Sequence, residues 1–301
     1  MPAPSDLRPS DFDLRISAAA SDGGTLLLVD IGNTHTHVAL HRDGVLSQQQ
    51  DIPTPELDAP ASPLRALLAS FSAPASRSPL HLAFCSVVPA ATPRLLALAA
   101  SAGVPAWQLT HEVALGVPIT YPRPSEIGQD RLANAAGAHA LAPGRPAVVI
   151  DLGTAVTFDL VTPEGGYEGG IITPGPALVT RYLHERTAQL PLVTDLTTPV
   201  TSVIGKSTSE AIRIGAVVGY AGLIQALLDA VLAEFATRGL PPAEIFLSGG
   251  AAEVVQGRLR QSARIVPDLA LLGLAAAHHL NQKSSAHAFR PASPVKRNSF
   301  S

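Results

Sequence analysis

Apolar residues gather into short runs that end in glycine turns, and the runs come in two sets. Thr25 opens TLLLVDIGNT, a continuous apolar stretch between Gly-Gly and Gly-Asn, the pattern of a buried strand closing in a tight turn. Residues 36–40 and 45–52 supply two further strands around an Asp43-Gly44 hairpin turn. A helix is expected over 63–72, a strand in LHLAFCSVVP and a helix in ATPRLLALAASAG. The prolines of Tyr121–Ser125 make an extended loop, and a helix follows from about Gln129 to His139. At Ala147 the pattern restarts, with AVVIDLGTAVTFDLV running into Asp-x-Gly-Thr and continuing as an alternating strand. PEGGYEGGIITPG reads as a glycine-rich loop. Helices over 176–189 and 207–236, a strand in EIFLSGG and a closing helix in LALLGLAAAHHL complete the ordered part.

The repeat is the informative feature. Asp30-Ile-Gly-Asn-Thr and Asp151-Leu-Gly-Thr-Ala each end a buried apolar strand, which predicts a duplicated α/β unit. The expected organisation is an N-terminal extension (1–24), two domains (25–145 and 146–281) and a basic tail (282–301), both ends without periodicity and read as disordered.

Composition narrows the function. Of the 301 residues 46% are hydrophobic and only 15% charged, with a net charge of −3, so no general basic surface invites nucleic acid or an anionic membrane. Cys85 is the single cysteine, which excludes an intramolecular disulfide and a cysteine-rich zinc site. No apolar run is expected to reach membrane-spanning length, and the first residues lack the apolar centre of a signal peptide. A cytoplasmic protein is the expectation.

The chemistry concentrates in the turns. A glycine after Asp30 lets backbone N–H groups approach phosphate oxygens, and Asn33 and Thr34 add short donors. Asp30 would repel a bare phosphate, so its role would be to hold Mg²⁺ directly or through water; the plain alternative is a turn with a hydrogen-bonding Asp. Gly205-Lys206-Ser207 ends like a P-loop, but Val200 stands where its first glycine is required. His184-Glu185 begins like a zinc-protease helix and Ala188 replaces its second histidine. His35 and His37 share a strand face with no third ligand in sight. Asp130, beside Arg131 at a helix start, is either a capping carboxylate or the group that orients and deprotonates an attacking hydroxyl.

Taken together, DIGNTHT (30–36), YPRPSEIGQDRLAN (121–134), DLGTAVTFD (151–159), GGIITPG (169–175), GKSTSEAIRIG (205–215) and SGG (248–250) resemble, in this order, the type III pantothenate kinases. These belong to the acetate and sugar kinase, Hsp70 and actin superfamily. The resemblance implies α/β architecture with duplicated ribonuclease H-like (actin-like ATPase) domains, each a mixed sheet flanked by helices. It implies ATP-dependent phosphorylation of pantothenate, the first step of coenzyme A biosynthesis, by a homodimer. Asp30, Ile31, Gly32, Asn33, Thr34, His35, Thr36 and His37 would form the first phosphate loop, with Mg²⁺ or another divalent cation near Asp30. Thr154 would contact ATP, and Asp151 would hold K⁺ or NH₄⁺. Tyr121, Gly128, Gln129, Asp130, Arg131 and Thr208 would contact pantothenate, with Asp130 the proton acceptor. His35, Gln129 and Ser248 depart from the more usual family residues. A kinase of another small hydroxylated substrate and a non-enzymatic transcriptional accessory protein are the competing readings.

Overall fold

A computed structural model describes residues 24–71 and 80–288; residues 1–23 and 289–301, most of the expected extension and tail, lie outside it. The first apolar run is strand β1 (Thr25–Ile31). It is followed by β2 (His35–Arg42), β3 (Val45–Pro53), β4 (Leu80–Ser86) and β5 (Ala106–Gln108), in sheet order β3-β2-β1-β4-β5. Asp43 and Gly44 both have positive φ (51° and 82°), as the tight β2–β3 turn requires.

The second sheet repeats the first. β6 (Ala147–Leu152), β7 (Ala155–Thr162), β8 (Gly166–Pro174), β9 (Glu244–Ser248) and β10 (Arg264–Ile265) run in the order β8-β7-β6-β9-β10. In both sheets the central strand pairs antiparallel with the next strand in sequence and parallel with the later one. This is the expected duplicated architecture, two mixed sheets of matching topology.

Alternation along the strands sorts the core into layers. Leu27, Val29 and Ile31 face α1 (Pro63–Phe71) and α2 (Thr92–Ser101) through Leu64, Leu68 and Leu95. Leu26 and Leu28 face the other way, onto a layer built from α3 (Gln129–Leu141) and α8 (Leu269–Ala288). Val149 and Phe246 of the second sheet join the same cluster, so α3 and α8 lie between the sheets. The far face of the second sheet, Val148 and Ile150, meets Ile224 and Leu228 of α6 (Tyr220–Thr237).

Several expectations are corrected. The glycine-rich "loop" is largely strand β8, because Gly169 and Gly170 fit where a Cβ would strike the Tyr121 ring or the Phe158 carbonyl. The helix expected over 176–189 is α4 (Pro176–Glu185). That over 207–236 is α5 (Thr208–Ile214), a π-helical turn at Gly215–Gly219, and then α6. By length and mean hydropathy (1.8) this Thr208–Thr237 stretch is sufficient to cross a membrane, contrary to expectation, yet Ile224, Leu228 and Phe235 are core. The closing helix α8 continues to Ala288, into the stretch expected to be tail. A short helix α7 (Ala252–Val255) follows β9.

Candidate active site

Each Asp-x-Gly turn sits at the end of a central strand. Register places Asp30 between His37 of β2 and Cys85 of β4, and Asp151 between Thr157 of β7 and Ser248 of β9. Both turns are closed by their glycine N–H, Gly32 donating to the His35 carbonyl (3.0 Å) and Gly153 to that of Ala155 (3.1 Å). They face each other across the molecule: the hydroxyls of Thr34 and Thr154 are 3.1 Å apart. Gly249, at φ +81°, lets the turn after β9 lie against Asp151, where a Cβ would come within 2.6 Å of Oδ1.

Not every residue of the expected phosphate loop faces the gap. Ile31 and Thr36 are buried, Thr36 sharing a hydrogen bond with Thr54, while Asn33, Thr34 and His35 are exposed. His37 instead pairs with Asp51 through Nδ1 at 2.5 Å.

The third component is the start of α3. Gly128 is its N-cap and makes no side-chain cap; Asp130 Oδ1 accepts the Arg131 N–H at 2.7 Å, an amide that also donates to the Gly128 carbonyl at 3.1 Å. A Cβ at Gly128 would lie 2.5 Å from that same oxygen, which is why glycine precedes it. Burial, and next the Asp130 carboxylate, push Asp30 up to about 7. Burial likewise raises Asp130, with Asp151 adding to it, and raises Asp151 against the opposing Asn134 amide. The Cys85 thiol, held protonated by burial and by Asp30, donates to Asp30 Oδ1 at 3.2 Å.

The expected acceptor-site residues divide. Tyr121 and Arg131 both border the β8 glycines: a Cβ at Gly169 would be 3.2 Å from the Tyr121 ring, and one at Gly170 2.7 Å from Arg131 Nη2. The Gln129 side chain turns into the fold, its Oε1 accepting from Ser86 N (2.9 Å) and Gln108 Nε2 (3.2 Å). Thr208 stands apart, exposed at the start of α5, lining a groove of about 420 Å³ with Val179, Leu183 and Ile212. The P-loop-like Gly205-Lys206-Ser207 is a reciprocal helix cap: Ser207 accepts from Glu210 N, and Glu210 accepts from Lys206 N.

Two residues that end the quoted motifs, with no role expected for either, carry chemistry beside the site. Asn134 of α3 donates to Asp151 Oδ2 (3.0 Å) and Asp159 Oδ2 (3.3 Å), and Asp159 of β7 pairs with Arg131 Nε (2.6 Å). The available signal was a carboxylate on the core-facing side of an apolar strand, and an amide in an alanine-rich helix.

Three carboxylates raised by burial, Asp30 and Asp130 also by acidic neighbours, fit cations, since a nearby positive charge would relieve both costs. Among the described residues no three His, Cys, Asp or Glu side chains converge enough to ligate an ion by themselves. A cation near Asp30 or Asp151 therefore needs oxygens from phosphate or water as well.

The family profile described as type III pantothenate kinase matches residues 26–230. A protein of that name from Methylacidiphilum infernorum is 40% identical over 255 residues, covering 83% of this chain and 86% of its own. Another from Akkermansia muciniphila is 39% identical over 258 residues, covering 85% and 99%. Among solved structures, a Campylobacter jejuni protein assigned to the Baf family of transcriptional activators aligns with TM-score 0.55. It is 17% identical, covering 85% of this chain and 99% of its own, a likeness of fold alone. The matched segment contains both Asp-x-Gly turns and the start of α3, and the chain belongs to the type III pantothenate kinase family.

Proposed function

We propose that the chain transfers the γ-phosphoryl group of ATP to the primary hydroxyl of pantothenate, giving 4′-phosphopantothenate for coenzyme A synthesis. The observation that carries this reading is the meeting of the two Asp-x-Gly turns, Thr34 to Thr154 at 3.1 Å, beside a carboxylate at the start of α3. Backbone amides and exposed donors of both turns, Asn33, Thr34, His35 and Thr154, cradle the phosphates between the halves.

Tyr121 and Gly128 to Arg131 receive pantothenate. Asp130 orients its hydroxyl and takes the proton as the new P–O bond forms and the bond to the β-phosphate oxygen breaks. Burial raises the Asp130 carboxyl, which makes it a better acceptor than an ordinary aspartate. Phosphoryl transfer has a loose transition state, so positioning and charge neutralisation supply most of the acceleration. When bound, a divalent ion beside Asp30 and K⁺ or NH₄⁺ beside Asp151 supply the positive charge that the crowded carboxylates and triphosphate require.

The same reading includes two domains meeting near residue 145, a cytoplasmic setting and a homodimer. Exposed Tyr182, Leu178 and Val179 on α4 and Val203 and Ile204 near Thr208 support docking of a second copy on that face. Pantothenate would then bind near the subunit interface, which gives Thr208 a route to a substrate-binding role.

ADP release coupled to a spectroscopic readout, with and without pantothenate and in K⁺ or Na⁺, tests the proposal. Release that needs pantothenate and K⁺ is expected. Equal ATP hydrolysis without pantothenate would overturn the acceptor, and equal rates in Na⁺ would remove the cation from Asp151.

A further inference from the structure

The two halves share one topology, so corresponding positions can be compared directly. With Asp30 set against Asp151, Leu28 corresponds to Val149. Their antiparallel partners, Ala39 on β2 and Asp159 on β7, then correspond as well. Ala39 is buried in the layer between the sheet and α8, as an apolar strand dictates. Asp159 is also fully buried. The fold therefore accepts an alanine at this position, and a buried carboxylate there is costly unless something specific uses it.

What uses it is on α3. Asp159 Oδ1 accepts from Arg131 Nε at 2.6 Å and from the Tyr167 hydroxyl at 3.4 Å. Its Oδ2 accepts from Asn134 Nδ2 and Thr157 Oγ1, both at 3.3 Å. Arg131 Nη2 donates to the Phe158 carbonyl at 2.8 Å, so two sides of the guanidinium are fixed and Nη1 is left for a ligand. The Arg131 side chain is 13% exposed, and its face lies 5.9 Å from the Tyr167 ring centre. Gly170 leaves room for it, since any Cβ there would come within 2.7 Å of Nη2.

We propose that Asp159 is a positioning residue for the reaction: it fixes the Arg131 guanidinium toward the acceptor substrate. It touches neither substrate nor phosphate. The carboxylate end of pantothenate then meets a cation whose direction is set by β7 rather than by the mobility of a long side chain. The inference rests on the assignment of pantothenate as acceptor and adds a residue to it.

The test uses full-length Asp159→Asn, with Asp159→Ala as the variant that reproduces the residue of the first half. Steady-state kinetics and calorimetric pantothenate binding are read beside the thermal melt. Pantothenate KM and Kd should rise about 10- to 100-fold in the folded Asn variant, with the ATP KM within twofold of wild type. In the double variant with Arg131→Gln the losses should not add, because both changes remove one interaction. An unchanged pantothenate KM in folded Asp159→Asn overturns the inference alone, as do fully additive losses. Wild-type protein that shows no pantothenate-dependent ADP release overturns the assigned reaction and this inference with it.

Discussion

The layer between the sheets depends on two glycines, and Gly273→Ala tests how tightly it holds the site. At Gly273 of α8 an added Cβ would lie 1.8 Å from the Ala133 carbonyl oxygen and 2.6 Å from Gly137 N, both backbone atoms of α3. Contacts under 3.0 Å are essentially never tolerated, so the helices must part by about 1.2 Å at this crossing. No side-chain rotation can relieve a clash with backbone. Helix propensity alone would favour alanine by about 1 kcal/mol, but overpacking of this kind costs about 1–3 kcal/mol or more.

A net loss of about 2 kcal/mol, set against an unfolding entropy of about 2.1 cal/mol/K per residue, corresponds to a Tm lowered by roughly 3 °C for a chain of this size. Ala133 lies one turn beyond Asp130 on α3, so the same displacement reaches the first turn of that helix. A shift near 1 Å at a reacting group can lower kcat by about 10²-fold. Thermal denaturation and pantothenate-dependent ADP release measure both effects. Gly222→Ala is the control, a helical glycine with nothing within 4 Å of its added Cβ, and should leave Tm unchanged or higher. A Gly273→Ala protein with wild-type Tm and kcat within twofold would refute the argument that the α3–α8 crossing positions Asp130.

Asp130→Asn should keep ATP binding, read by calorimetry, while kcat falls about 10²- to 10⁴-fold; near-normal turnover would remove Asp130 from its role. His278 sits 6% exposed beside His279, His81 and Trp107, and burial, then His279, lowers it to about 4. Its folded value lies below its unfolded one, so stability is complete above about 6.5 and is lost as pH falls toward 4. At pH 5.5 the loss from this one group is about 1.4 kcal/mol. Asp30 and Asp159, raised to about 7 chiefly by burial, act in the opposite sense over the same range. The prediction is therefore differential: denaturant unfolding of wild type and His278→Leu between pH 5 and 7.5 should differ in slope, and parallel curves would refute it.

Much of this architecture is written in the order of residues, and the gaps have physical causes. β1, β4, β6 and β9 are buried on both faces, so they read as continuous apolar runs. β8 did not, because its glycines are dictated by Tyr121 and by Phe158 of the paired strand β7, atoms of other elements. β5 and β10 span three and two residues, too short for any period, and exist through pairing with β4 and β9. Asp30, Asp130 and Asp151 stand in local motifs and were legible. Asn134 and Asp159 close two of the same motifs, yet their role was not legible, because it depends on which face of β7 meets α3. Gln129 has a position fixed by its motif, yet its side chain answers to Ser86 and Gln108.

The duplication also explains why the chemistry is lopsided. Each half keeps its Asp and Gly at the end of the central strand, as the proposed phosphate site between the two turns requires. The flanking positions are free to diverge, and they do: His37 against Thr157, Cys85 against Ser248, Ala39 against Asp159. Cys85 gives Asp30 a weak thiol donor, while Asp151 receives the stronger Asn134 amide. Burial, and next Asp130, raise Asp30 to about 7 against that thiol, and its negative charge at neutral pH depends on a cation nearby. Asp151 is tied to Asn134, and through it to Asp159 and Arg131. A chain with two identical halves would have two phosphate turns and no acceptor side. The acid on β7 makes one half different, and it does so on the face of the sheet that meets α3, the helix that carries Asp130.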